Sequence, residues 1–369
     1  MINELKIKLP ALELPVMYES PMKYLQMIVK QQAESKGLTS DIYHKRIAYE
    51  LAEFERCNAI EYLIRVWTLN VICQVLPELT IQRGMVSASL VCYLLDIAKF
   101  DAEKYGLMFS RFISESTTSI GPFEFSVGKD LFDLSCDLID LGFEIERGDD
   151  KDCIILHKAT IPTLIDKTLD NIHITRGLDI TPDDIPLDDA ATFQRLSFAD
   201  TEGIPCLLGE ELAQIMFKQR PTHFEQMIPL CALNRMGEIK KLSEYYGYVA
   251  KASDSLSWES EMRNPPMIIY QEQITNMALA RGFNSMESEQ IRKFVNKRAL
   301  ARLEEYRERW IKSSDESSWD LIIDSGLYTF PKAYAIVLAY QSYVCAYLKT
   351  HFPEEYTRAA LCVVASDLC

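Results

Sequence analysis

Glu124 is the only carboxylate on the apolar run Phe123-Glu124-Phe125-Ser126-Val127, and it is the first candidate for chemistry in this chain. A carboxylate there is a hard-oxygen ligand for a divalent cation, and period-two alternation equally makes it an acid that faces solvent. Upstream, Arg83-Gly84 forms a turn ahead of the helix-forming run Ser89-Leu90-Val91-Cys92-Tyr93-Leu94-Leu95. Downstream, His157 ends Cys153-Ile154-Ile155-Leu156-His157, where a lone imidazole is either a metal ligand or a satisfied surface or core residue. Farther on, the stretch from Arg292 to Lys312 holds eight Lys or Arg against three Glu. Its field acts locally, because distant acids are screened beyond about 8 Å at physiological salt. The same pattern also fits a solvated helix face laced with i,i+4 pairs.

Periodicity and punctuation give the elements that must position these residues. A helix is expected from about Met22 to Gly37, and a second after Thr39-Ser40-Asp41, amphipathic through Ile47, Leu51 and Phe54. Strands are expected at Phe123 to Val127, Phe143 to Arg147 and Cys153 to His157, the last two forming a hairpin through Gly148-Asp149-Asp150-Lys151. A helix from Lys129 to Leu141 fits between the first two strands. From Thr192 onward the pattern is helical, with polar surface loops expected at Ser253 to Pro266 and Ser313 to Asp320. There is no internal repeat and no low-complexity tract.

Composition narrows the class. With 369 residues and 48% apolar content, the chain can bury a full core, expected as two lobes of one assembly. A formal charge of −15 and a pI near 4.9 have the wrong sign for a general DNA binder, since Lys and Arg neutralising phosphates supply most non-specific affinity. Ten cysteines without a CxxC pair, none near a histidine at zinc spacing, read as reduced thiols of a cytoplasmic protein. No basic region precedes an apolar core at the amino terminus, so no signal peptide is expected. The uncharged run from Ala333 to Leu348, 16 residues with Gln341, Ser342 and four tyrosines, is too short and too polar to span a bilayer. No membrane association is expected.

The order Arg83-Gly84, SLVCYLL, Tyr105-Gly106-Leu107-Met108-Phe109 with Arg111-Phe112, then Pro122-Phe123-Glu124-Phe125-Ser126-Val127 resembles the catalytic core of the bacterial DNA polymerase III alpha subunit, the C family. Three further segments extend the resemblance over most of the chain. Ile185-Pro186-Leu187-Asp188-Asp189 is similar to the family's IPLDD start of the fingers, and Ile268-Ile269-Tyr270-Gln271-Glu272-Gln273 to its IILYQEQ. Tyr328-Thr329-Phe330-Pro331-Lys332-Ala333-Tyr334 occupies the place of its YGFNKSH.

The resemblance implies an α/β (α+β) fold: a polymerase beta-like nucleotidyltransferase palm over 1–184, then a mostly helical fingers lobe over 185–369. It puts the family's two strand aspartates on Pro122 and Glu124, a third acid on Ser126, and the serine of the GRGS turn on Met85. The last catalytic aspartate falls on His157 in the best register, with Asp149, Asp150 or Asp152 reaching the place only if the register slips. It makes Arg83, Gly84, Arg292, Lys293, Lys297 and Lys332 the nucleotide-binding candidates. Only 32 residues separate Glu124 from His157, so the family's thumb insertion is expected to be missing between 127 and 153. The PHP, clamp-binding, OB and carboxy-terminal regions are expected to be absent as well.

In-line nucleotidyl transfer needs two divalent cations a few ångströms apart, each held by hard oxygen ligands. Proline offers no side-chain oxygen, serine is a poor neutral ligand, and Glu124 cannot bridge two ions alone. The expected function is therefore a catalytically inactive alpha-subunit relative with an accessory or binding role in DNA replication or repair. Its expected partners are replication or repair proteins, with weak contact to deoxynucleotide or DNA, and no cofactor. Two alternatives stay open: an active DNA-directed DNA polymerase using Mg²⁺, and a metal-independent nucleotide or single-strand binding module.

Overall fold

The computed structural model describes residues 4–72, 80–146, 152–235, 241, 244, 267–313 and 316–367. The chain divides into two compact units, 1–184 with 352–369, and 185–351. The sequence reading placed 352–369 with the second lobe. Instead, the last helix, Pro353–Asp367, packs in the first unit on the helix Thr160–Arg176. Glu355 fixes this union by accepting from Arg176 Nε at 2.7 Å and from Thr175 Oγ1 at 2.8 Å, and Asn171 donates to its backbone carbonyl at 3.1 Å. These partners lie about 180 residues away in sequence, so no local pattern announces them.

The first unit is built on a sheet of β1 (Glu4–Lys8), β2 (Thr80–Gln82), β3 (Phe123–Val127), β4 (Ile145–Glu146) and β5 (Cys153–Lys158). The strand order is β2-β3-β5-β1-β4, with β3 and β5 parallel and every other pair antiparallel. The expected hairpin of β4 and β5 does not form, because β1 lies between them and pairs with both. The turn 148–151 lies outside the described residues. Alternation explains β1's position: Leu5 and Ile7 enter the core on one face, and both flanking strands present apolar partners.

Three helices pack near the sheet's start: α1 (Pro21–Ser35), α2 (Asp41–Arg56) and α3 (Ile60–Trp67). Ser20 caps α1 by accepting from the Lys23 N–H, with Pro21 opening the helix, and Gly37 follows its end at φ +71°. From α3, Tyr62 joins the parallel strands at their entry: its hydroxyl accepts from Phe123 N at 2.6 Å and donates to the Cys153 carbonyl at 3.0 Å. Arg65, one turn on, holds the Leu9 and Pro10 carbonyls and the Asp152 carboxylate.

Between β3 and β5, the chain forms α5 (Leu131–Asp140), capped by Asp130, and the short β4. After β5 comes α6 (Thr160–Arg176). Gly128, just beyond β3, is required by close approach. A Cβ there would stand 2.5 Å from the Pro162 carbonyl oxygen and 2.5 Å from the Asp166 carboxyl carbon.

Among the described residues, the regular elements of the second unit from Ala190–Ser197 onward are helices. Its helices Gln271–Ala280, Ser285–Asn296, Leu300–Ser313 and Glu316–Ser325 enclose a core with Phe283, Trp310, Trp319 and Ile322. The expected loop from Ser313 to Asp320 is therefore overturned from Glu316 onward. Trp319 and Ile322 enter the core at helical spacing, and Ser318 accepts from the Trp310 indole at 2.9 Å, so burial overrides the polar composition. The loop expected at Ser253 to Pro266 lies outside the described residues. The uncharged run forms the interior of the helix Lys332–His351, whose Tyr343 is fully buried. No helix among the described residues is long and apolar enough to cross a membrane.

Candidate functional site

Period-two alternation sorts the sheet of the first unit into two faces. Phe123, Phe125 and Val127 of β3 and Ile154 and Leu156 of β5 enter the core. Glu124, Ser126, Ile155 and His157 therefore share the opposite face, and the parallel register sets Ser126 beside His157 and Glu124 beside Ile155. The strand pairing thus brings Glu124, Ser126 and His157 to one patch. Pro122 lies just before the strand.

The patch is wired by charge. His157 Nε2 lies 2.9 Å from Glu124 Oε2, with the histidine side chain 19% exposed and the glutamate 48%. Arg83 arrives from β2: its backbone N–H donates to the Glu124 carbonyl at 2.7 Å, continuing the antiparallel ladder. Its Nε stands 3.9 Å from the Glu124 carboxylate. Gly84 then turns the chain at φ +68°, the left-handed region that glycine enters without a Cβ penalty.

Beyond that turn, the short helix α4 (Leu90–Leu94) begins at Ser89. Its first N–H groups are already bound by Glu50, a fully buried carboxylate on α2. Glu50 accepts from Leu90 N at 3.0 Å, Val91 N at 2.9 Å and Ser89 Oγ at 2.7 Å, and from Arg46 Nε at 2.5 Å. Burial pushes its carboxyl up from the ordinary range, while Arg46 and the two N–H groups pull the other way. Sequence reasoning missed this residue. Its only local signal was a glutamate four residues after an arginine on one helix.

The remaining cations lie in the second unit. Arg292 is buried and forms an ion pair with Glu289 at 2.9 Å, and it donates to the Gln271 side chain at 3.2 Å. Lys332 is also buried: its backbone N–H donates to Glu272 at 3.0 Å, and its Nζ stands 5.5 Å from the Tyr270 ring centroid. The structure thus brings Arg292 and Lys332 together around the Tyr270-Gln271-Glu272 helix start, as interior residues. Lys293 and Lys297 face solvent. Ion pairs run through the 292–312 stretch: Lys312 pairs with Glu308 at i,i+4 along one helix, whereas Arg307 with Glu316 and Arg309 with Glu287 join neighbouring helices.

Asp152, one of the slipped-register acids, does not approach the patch. It sits before the first residue of β5, held by Arg65, while His157 lies near the strand's other end. Asp149 and Asp150 lie outside the described residues. A pair of Mg²⁺ ions needs several carboxylate oxygens on one patch. Here the donors are one carboxylate, one hydroxyl and one imidazole, and the carboxylate is engaged by His157 and Arg83. These residues do not fit a two-cation site, and no group of three His, Cys, Asp or Glu among the described residues could hold a metal ion.

Residues 23–124 match the sequence model of the bacterial DNA polymerase III alpha NTPase domain, and residues 161–318 match that of the same subunit's finger domain. The DNA polymerase III subunit alpha of Mycobacterium tuberculosis (strain CDC 1551 / Oshkosh) is 27% identical over 227 residues, covering 56% of this chain and 19% of that protein. The same subunit of Staphylococcus aureus (strain COL) is 28% identical over 209 residues, covering 52% and 19%. The matched part thus spans about a fifth of the length of these curated relatives. Two domain models of one subunit match in the order in which the mixed sheet and the helical unit follow each other, and the chain belongs to the bacterial DNA polymerase III alpha subunit family.

Proposed function

We propose that this protein acts in DNA replication or repair as a catalytically inactive relative of the alpha subunit, by binding rather than by nucleotidyl transfer. The observation that carries the reading is the Glu124 patch. On the face where the resemblance puts the family's acids, Glu124 accepts from His157 and lies against Arg83, with Ser126 beside them. An imidazole nitrogen and a guanidinium at this spot compete with any cation for the one carboxylate. Among the described residues, the interval in which the resemblance puts the family's thumb holds α5 and β4, which supports a role without a grip on a primer–template duplex. The helix start behind the RG turn supports the same reading, because Glu50 already occupies the N–H groups that would favour an anion.

Metal-dependent primer extension by the purified chain tests it. The expected result is no extension with Mg²⁺ or Mn²⁺; extension that Glu124→Gln abolishes overturns the reading and restores polymerase activity as the function.

A further inference from the structure

The sheet patch, the buried cations and the Glu50 cluster are explained by the contacts above. A groove in the first unit, away from all three, is not. It has a cavity volume of about 1080 Å³, at the upper end of the ~300–1,000 Å³ typical of small-ligand pockets, with room for several side chains. Two helices build it: α5 contributes Asp133 and Asp137, and α6 contributes Asp166 and Asp170. Each pair is spaced i,i+4, one helical turn apart on one face. The lining also has an apolar part, with Leu134 and Leu138 buried and Leu141 and Leu178 exposed by 65% and 46%.

The charges decide what this groove can take. At one end Asp130 is neutralised by Lys158 at 2.9 Å, and on the far wall Asp179 meets His173 at 2.7 Å. Asp133, Asp137 and Asp170 are exposed and carry no ion pair among the described residues. Lys129 and Lys167 line the groove as well, so its six aspartates stand against three lysines and its net charge stays negative. A nucleic acid is repelled by walls of this sign in a chain of net charge −15. A single metal ion is excluded too, because no three of these carboxylates among the described residues converge. The complement is a ligand whose cations are spread along its length at one-turn spacing and whose other side is apolar.

We propose that the groove between α5 and α6 docks a basic, amphipathic helical segment of a partner protein. Its leucine side enters between the helices, and Lys or Arg at i and i+4 meet Asp133 and Asp137. This names a surface for the binding role proposed above and rests on that role.

The test uses the whole chain and a labelled helix-forming peptide with leucines on one face and lysines at i and i+4, followed by fluorescence anisotropy at low and physiological salt. Asp133→Lys with Asp137→Lys is expected to weaken binding by about tenfold or more and to flatten its salt dependence. Glu55→Lys with Glu61→Lys, an equal change of charge at exposed positions on α2 and α3, is expected to stay within about twofold. Leu178→Asp at the mouth supplies a second probe and is expected to weaken binding without altering the melting curve. The proposal is overturned if the wild-type chain does not bind the peptide, if both reversals weaken it equally, or if a single-stranded oligonucleotide displaces it. Primer extension by the same preparation reports separately on the proposed function: extension with intact peptide binding removes the inactive reading alone, and loss of peptide binding without extension removes this groove alone.

Discussion

Adding acids to the sheet patch tests both its geometry and the reason proposed for a lack of nucleotidyl transfer. The perturbation is Ser126→Asp with His157→Asp in the presence of Glu124. Ser126 and His157 are Cα partners in the parallel β3–β5 ladder, and Glu124 lies one same-face step along β3, so three carboxylates would share one patch within reach of a single cation. Both positions are half-buried at the surface, so the substitutions cost about 1–2 kcal/mol through like-charge repulsion and the lost Glu124–His157 contact. A divalent cation should repay that cost. If the site binds Mg²⁺ with a Kd of about 1 mM, ~10 mM Mg²⁺ stabilises the folded unit by about 1.4 kcal/mol, which raises Tm by roughly 3–5 °C for a unit of this size. The assay is thermal melting followed by circular dichroism with and without Mg²⁺, with Ca²⁺ as a second hard cation. The wild-type chain is expected to show no such rise. A variant that gains nothing from either cation refutes the face geometry, and a wild-type chain that gains as much refutes the argument that Arg83 and His157 have displaced the metal.

Glu50→Gln is expected to destabilise the first unit by about 2–4 kcal/mol in urea melts, since it leaves Arg46 with Glu103 at 3.4 Å as its remaining carboxylate and sets an amide against four donors; a loss below about 1 kcal/mol would show that the cluster contributes little. Glu355 gives a pH prediction: hydrogen bonding from Arg176 lowers its carboxyl to about 2, so its contribution is complete above the unfolded value and disappears as pH falls from about 5 towards 2. Because Arg176 is 41% exposed, the contribution is about 1–2 kcal/mol, and Glu355→Gln should flatten the acid limb of a stability–pH profile by that amount. Gly128→Ala should cost about 1–3 kcal/mol by forcing a Cβ against the Pro162 carbonyl, read as a drop in Tm. Isothermal titration with a deoxynucleoside triphosphate should show no strengthening on adding Mg²⁺; strengthening would mean that metal-ligating carboxylates remain.

The candidate site was legible in the sequence to the extent that it is local. Alternation along FEFSV puts Glu124 and Ser126 on one face whatever the strand pairs with, and CIILHK does the same for His157. The contact between Glu124 and His157 is not local, because it depends on β3 and β5 being parallel neighbours in the observed register. The basic residues show the same division. Their count was visible, yet Arg292 and Lys332 are interior and Lys293 is exposed, and only helix packing separates positions 292 and 293.

The sequence by itself determined where most elements start and stop, because caps, prolines and glycines act through their own backbone: Ser20 and Pro21 open α1, and Asp130 caps α5. It determined the family, through motifs carried in order along the chain. Tertiary structure alone decided that β1 separates β5 from β4, that the last helix joins the first unit through Glu355, and that Glu50 fills the helix start behind the RG turn. In each case the deciding energy is burial of apolar faces or satisfaction of buried charge between segments far apart in the chain, and period and composition carry no record of which distant partner will supply it.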